Sequence, residues 1–250
     1  MPASFFSALP LLRKKWRRRR RLVILDFDGV LVPIRKNPAA PRLAASMKRA
    51  LMKLRDSGAS VWVLTSRDAS FMNKRFHIRG IRVIPERGAH WNPIFSRQNA
   101  SIRRMISQLE RVLKPLARSF PGSLIERKPS SLVFHYRNVA LSRQAALIQS
   151  IHSLSFTSSL QKVPGRKSFE WIPRGLPDKG VTVRRIGASE RAFPIYVGDD
   201  STDEPAFLAV KRNGIGVLVR SSEKNFRTTN ARYYVNGIRD VDRLLHSLAR

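Results

Sequence analysis

Residues 22 to 29 read LVILDFDG. The run LVILD is short, continuous, apolar and β-branched, the pattern of a parallel strand buried on both faces. Asp26 and Asp28 stand at its carboxyl end, and positions i and i+2 of a strand project to one side, so both carboxylates reach a common point. Ligands of open α/β sheets bind just beyond those strand ends, and Gly29 lets the backbone turn there and approach a ligand closely. Alone, Asp-x-Asp-Gly fits an ordinary turn with solvated aspartates about as well. Outward from this stretch, Pro41 opens a helical pattern with Leu43, Met47, Ala50, Leu51 and Leu54 on one face, closing at Ser57-Gly58. Two further buried strands follow, VWVLT and IRVIP, and the alternation predicts an α/β fold with a doubly wound parallel sheet.

From about Asn92 the texture changes. A helical stretch (Ile102, Met105, Ile106, Leu109, Val112, Leu113) leads to Pro121-Gly122. Two strand patterns, SLIERK and SLVFHYR, then a helix near Leu141 to Leu154 and a strand around KSFEWI complete the segment. Segregated helices and short strand connections predict an α+β cap inserted over residues 93–176. Alternation resumes with PIYVGD, a helix from Glu204, GIGVLV and RYYV, so the sheet domain is expected to comprise residues 22–92 and 177–250.

The composition is unusual in charge. The 250 residues carry 48 Lys+Arg against 17 Asp+Glu, a net charge of +31. Eight of the cations lie in RKKWRRRRR, Arg13 to Arg21, yet the remainder still holds +23, so the excess is a property of the whole chain. Such a field attracts anions of any kind. Residues 1–21 read as a basic, flexible arm able to make weak contact with anionic surfaces. A second reading inserts Phe5, Phe6, Leu9, Leu11, Leu12 and Trp16 into an anionic membrane. An apolar stretch before the basic run is the reverse of a secretory signal, and no apolar run approaches the roughly 20 residues of a membrane span. Cysteine is absent, which excludes disulfides and thiolate chemistry and is compatible with a reducing cytoplasm.

Scarce acids make each acidic cluster informative. GDDSTDE, Gly198 to Glu204, follows the PIYV strand, and its carboxylates repel one another unless a cation neutralises them. An all-oxygen, hard donor set suits magnesium rather than zinc. A helix N-terminus is the plainer reading: Ser201 or Thr202 as cap accounts for Asp203 and Glu204 but leaves Asp199 and Asp200 unexplained. Thr65 ends the VWVLT strand, and Lys179 lies in PDKG before a helix; each is unremarkable alone.

Taken in order, the Asp-x-Asp-Gly strand, the strand-ending Thr, the Lys before a helix and Gly-Asp-Asp after a strand resemble the haloacid dehalogenase-like phosphatases. More narrowly, GDDSTDEPAF, ERKPSSLVFHYR, GRKSFEWIP and PDKG resemble the motifs of trehalose-6-phosphate phosphatases. Three positions depart from that pattern: Val30 stands for Thr, Thr65-Ser66 for Ser-Gly before Arg67, and His90-Trp91 for His-Gly. The resemblance implies a monomeric, cytoplasmic phosphatase acting on a small-molecule sugar phosphate, with trehalose 6-phosphate foremost and no specific nucleic acid partner. Asp26 would be the nucleophile and Asp28 the acid and base, with Thr65 and Lys179 on the phosphoryl oxygens. Mg2+ would be held by Asp26, the Asp28 carbonyl and Asp199, with Asp200 or Asp203 through water. Arg67, Glu126, Lys128, Arg137 and Glu170 would bind substrate, although charged residues alternating on the open face of a cap sheet would look the same. Competing expectations are a hydrolase for sucrose, glucosylglycerol or mannosylglycerate phosphates, and a binder of nucleic acid or anionic surfaces. Scattered cations and 8% aromatic residues speak against the latter.

Overall fold

The computed structural model describes residues 1–35, 37, 39–91, 99–154, 159–221 and 228–250. The chain forms two compact units, Met1–Gly88 with Pro177–Arg250, and Ala89–Leu176. The expected boundary at 92/93 lies outside the described residues.

In the first unit seven strands form one sheet: β1 (Ala3–Ser4), β2 (Arg21–Leu25), β3 (Ser60–Leu64), β4 (Arg82–Ile84), β9 (Phe193–Gly198), β10 (Ile215–Arg220) and β11 (Tyr233–Asn236). The order is β1-β11-β10-β9-β2-β3-β4 and every pairing is parallel. One face is covered by α1 (Phe5–Trp16), α2 (Ala45–Asp56) and α8 (Gly237–Leu248), which bury Leu12, Trp16, Met47, Leu51, Leu244 and Leu245 against Val23, Val61 and Val197. The other meets α6 (Lys179–Glu190) and α7 (Glu204–Val210), where Phe207 packs edge-on against Tyr196. Burial on both faces is why the strands read as unbroken apolar runs. A shorter helix, α3 (Ala69–Arg75), follows β3, its first turn closed by the Asp68 carboxylate accepting from Phe71 N.

Topology positions the site. The chain leaves β2 toward β3 on one side, and leaves β9 toward β10 on the other, so the strand order reverses between these two neighbours. Leu25 pairs with Val197, and Asp26 N donates to Val197 O at 2.9 Å. The crevice at such a switch point is where doubly wound sheets bind ligands.

The second unit is an antiparallel sheet, β5 (Leu124–Arg127), β6 (Leu132–His135), β8 (Ser168–Pro173) and β7 (Leu160–Gly165) in that order, with α4 (Asn99–Ser119) and α5 (Leu141–Ser153). Leu132, Phe134, Phe169 and Trp171 face the helices and join Ile106, Leu109, Leu113, Leu147 and Ile151 in a separate core. The alternate positions of β6 and β8 form the other face of the sheet.

Three expectations need correction. Residues 3–16 are not a flexible arm: β1 pairs with β11, and Phe5, Leu12 and Trp16 are buried in the core. The same burial removes the membrane-inserting reading, since of the large apolar side chains in α1 only Leu11 is strongly exposed. In addition, α2 begins at Ala45, four residues after Pro41, and its N-cap Ala44 supplies no side-chain bond.

Candidate active site

Asp26 follows β2 and is buried. Its Oδ1 accepts from Phe27 N at 2.7 Å, and its Oδ2 lies 2.8 Å from Lys179 Nζ. Lys179 opens α6 behind an Asp178 N-cap, whose carboxylate accepts from Val181 N, and is itself 1% exposed. Its ammonium also donates to Asp203 Oδ1 at 2.7 Å. Asp203 is fully engaged: Oδ1 further accepts from Tyr196 OH, and Oδ2 from the backbone N–H of Asp199 and Asp200 at 2.8 and 3.0 Å. Two glycines make the approach possible. A Cβ on Gly29 (φ +79°) would lie 2.0 Å from Asp199 Oδ2, and one on Gly198 2.4 Å from Asp203 Cγ.

The electrostatics are those of one cation shared among several carboxylates. Burial raises the Asp26 pKa to about 8 against the pull of Lys179. Burial also works to raise Asp203 and to lower Lys179, but here their mutual attraction prevails: Asp203 is held below the ordinary range and Lys179 above it. One oxygen from each of Asp26, Asp199 and Asp203 lies within 4.8 Å of the others. This buried all-oxygen set, short of positive charge and with room kept for Asp199 by Gly29, fits a hard divalent cation.

The acidic cluster divides differently from the sequence reading. Asp200, not Ser201 or Thr202, is the N-cap: it accepts from Thr202 N at 2.7 Å while Asp203 accepts from the Asp200 N–H, a reciprocal capping box. Capping therefore accounts for Asp200 as well as Asp203. Glu204 is held by Asn230, whose backbone N donates to Oε2 at 2.7 Å.

Asp28 is gripped by Arg67 in a two-bonded fork, Nε to Oδ2 at 2.7 Å and an outer nitrogen to Oδ1 at 2.9 Å. Phe71 of α3 lies under that guanidinium, 4.4 Å from ring centroid to carbon. Thr65 is buried just after β3, its Oγ1 accepting from Arg67 N at 3.1 Å.

The family model for trehalose-phosphatase matches residues 24–239, nearly the whole of the chain. This chain belongs to the trehalose-phosphatase family. It is 29% identical over 247 residues to a trehalose-phosphate phosphatase of Mycobacterium tuberculosis, covering 93% of this chain and 62% of that one. An uncharacterized glycosyl hydrolase of the same organism is 32% identical over 248 residues, 92% of this chain but 18% of its own length. The chain thus spans under two thirds of these curated relatives. Among solved structures, the C-terminal domain of the Candida albicans trehalose-6-phosphate phosphatase superposes with a TM-score of 0.82 at 24% identity, covering 99% of this chain and 97% of that one. That likeness shows the shared fold, a capped parallel sheet of the haloacid dehalogenase type.

In this trehalose-phosphatase family member, the cap residues singled out from sequence form pairs on one sheet face. Lys128 Nζ lies 3.2 Å from Glu170 Oε1, which also accepts from Ser131 Oγ at 2.7 Å, and all three are buried. Glu126 meets His135 Nε2 at 2.7 Å, a partner that sequence reasoning missed although register across β5 and β6 could have found it. Arg137 donates to Arg166 O at 3.0 Å, bracing the turn between β7 and β8. Of the three departures from the family pattern, Val30 is buried in the first core, and Ser66 and Trp91 are part-exposed.

Proposed function

We propose that this chain hydrolyses trehalose 6-phosphate to trehalose and phosphate with Mg2+, through an aspartyl-phosphate on Asp26. The observation that carries the reading is the placement of Asp26 at the switch point between β2 and β9, joined to Lys179 and beside Asp199, in a chain of this family. An Asp26 oxygen attacks phosphorus in line, and the phosphorus–sugar oxygen bond breaks as Asp28 delivers a proton to that oxygen. Asp28 then takes a proton from water, whose oxygen attacks the same phosphorus, and Asp26 and phosphate separate. Lys179 and Thr65 hold phosphoryl oxygens, the ammonium offsetting the charge that develops there. Asp26, the Asp28 carbonyl and Asp199 would hold the magnesium, which when bound shields the nucleophilic carboxylate from the anionic phosphate. Asp203 sets the frame: with both oxygens already bonded, it orients Lys179 and the loop carrying Asp199.

The Arg67 fork adds one feature. Asp28 cannot protonate a leaving oxygen while both its own oxygens face a guanidinium, so an arriving phosphate that draws Arg67 toward itself would release the acid at the moment it is needed. Glu126, Lys128 and Glu170 of the cap would bind sugar hydroxyls, and a monomeric cytoplasmic enzyme belongs to the same proposal.

The test is phosphate release from trehalose 6-phosphate and from the sucrose, glucosylglycerol and mannosylglycerate phosphates, with magnesium and with chelator. Trehalose 6-phosphate should be the one turned over fast at low concentration, and only with the metal. Asp26→Asn should abolish release while its thermal unfolding stays cooperative. Preference for another sugar phosphate would replace the substrate, and undiminished activity of Asp26→Asn would remove the mechanism.

A further inference from the structure

At the end of the sheet opposite Asp26, the first unit carries a cavity of about 780 Å³ between the C-terminus of α1, α6, and the starts of β9 and β10. Six cations line it: Lys15, Arg19, Arg184, Arg191, Arg212 and Arg232. Among the described residues no acid lines it and none of the six forms an ion pair. Glu190, next in sequence to Arg191, is already held by Arg20 and Arg82. The floor is apolar, from Val183, Phe193 and Val210, and Arg19 rests over the Phe193 ring at 5.2 Å. Asp199 lies six residues along β9 from Phe193, roughly 20 Å at about 3.3 Å per residue. The cavity is therefore separate from the catalytic end.

The six cations are exposed and gather around one open hollow without ion-pair partners among the described residues, so a ligand of several adjacent negative charges would meet all of them together. The volume is that of a small-molecule site. Phe193, the one aromatic residue of the lining, is buried and already covered by Arg19, so it offers no face on which a base could stack. We infer that this cavity binds a short run of linked phosphates, as in a tripolyphosphate or the phosphate tail of a nucleoside triphosphate. The inference does not depend on which sugar phosphate the catalytic end accepts.

The experiment is calorimetric titration of the full chain with sodium tripolyphosphate, ATP, orthophosphate and a single-stranded oligonucleotide, in chelator so that no metal bridges them. Because a net charge of +31 attracts every anion, the variants carry the answer. Arg184→Ala with Arg212→Ala removes two cavity cations. Gly187→Asp adds a carboxylate to the lining at a position where a Cβ meets nothing within 4 Å. Arg49→Ala with Arg118→Ala removes two exposed cations elsewhere. Tripolyphosphate and ATP should bind alike and at least tenfold more tightly than orthophosphate, losing at least tenfold in the first two variants and less than twofold in the third. ATP binding far more tightly than tripolyphosphate would instead show that a nucleoside is read. Equal losses in all variants would show attraction to the overall field and overturn the site. Stronger binding of the oligonucleotide through Arg184 and Arg212 would overturn the ligand class. Each variant's thermal unfolding confirms that it is folded.

Discussion

Lys179 is one of 48 basic residues, and PDKG taken alone does not distinguish it from a surface lysine. Its buried ammonium, 2.8 Å from Asp26 and 2.7 Å from Asp203, is what makes the local charge tolerable. Removing one partner of a buried ionic cluster leaves uncompensated charge and costs about 3–5 kcal/mol. Lys179→Ala is therefore expected to lower the stability of the chain by about that amount in urea unfolding with chelator present. Magnesium should restore more stability to this variant than to the parent, because it would replace the missing positive charge. An equal effect of magnesium on both proteins would argue against a cation at Asp26 and Asp199. Asp28 and Arg67 were each singled out in the sequence, but their fork was not: they lie 39 positions apart, and the parallel pairing of β2 with β3 brings the two strand ends together.

Among elements, α1 shows how a strong composition signal hides a weaker one. Eight cations between Arg13 and Arg21 dominate the N-terminal sequence and suggest a solvated arm. Yet Phe5, Leu12 and Trp16 share one side of the helix and close the core beside β11 and α8. Trp16→Ala should cost about 3–5 kcal/mol, the range for emptying a large buried aromatic site. Leu11→Ala, at 67% exposure, should change stability little. Chemical denaturation of the two variants checks the docking of α1 directly; equal small effects would return residues 3–16 to the status of an arm. Other elements escaped for local reasons. Strand β7, LQKVPG, carries a proline and little apolar periodicity, so its pairing with β8 is a tertiary event. The 12-residue α8 at the end of the chain buries Val241, Leu244, Leu245 and Leu248 against a sheet that must already exist.

At the scale of the molecule, charge is the outstanding quantity. A folded chain at +31 repels itself, and salt screens that repulsion over a Debye length of about 10 Å at 0.1 M. Stability should rise as sodium chloride increases from about 0.02 to 0.2 M, measured as the thermal midpoint in chelator. A midpoint that falls with salt would mean that attractive pairs, such as Arg82 with Glu190, outweigh the repulsion.

The sheet domain, its interruption by an α+β insertion, and the strand ends where Asp26, Thr65 and Asp199 stand were all legible in the order of residues alone. Buried parallel strands must be unbroken apolar runs, and carboxylates at their ends interrupt those runs visibly. Which acids share Lys179, that Asp200 caps while Asp203 anchors, that Arg67 holds Asp28, and that α1 belongs to the core emerge from the folded arrangement. These depend on distances between residues far apart in the chain. A hydrogen bond or a buried contact has a range of a few ångströms, and no local pattern records which distant partner will arrive within it.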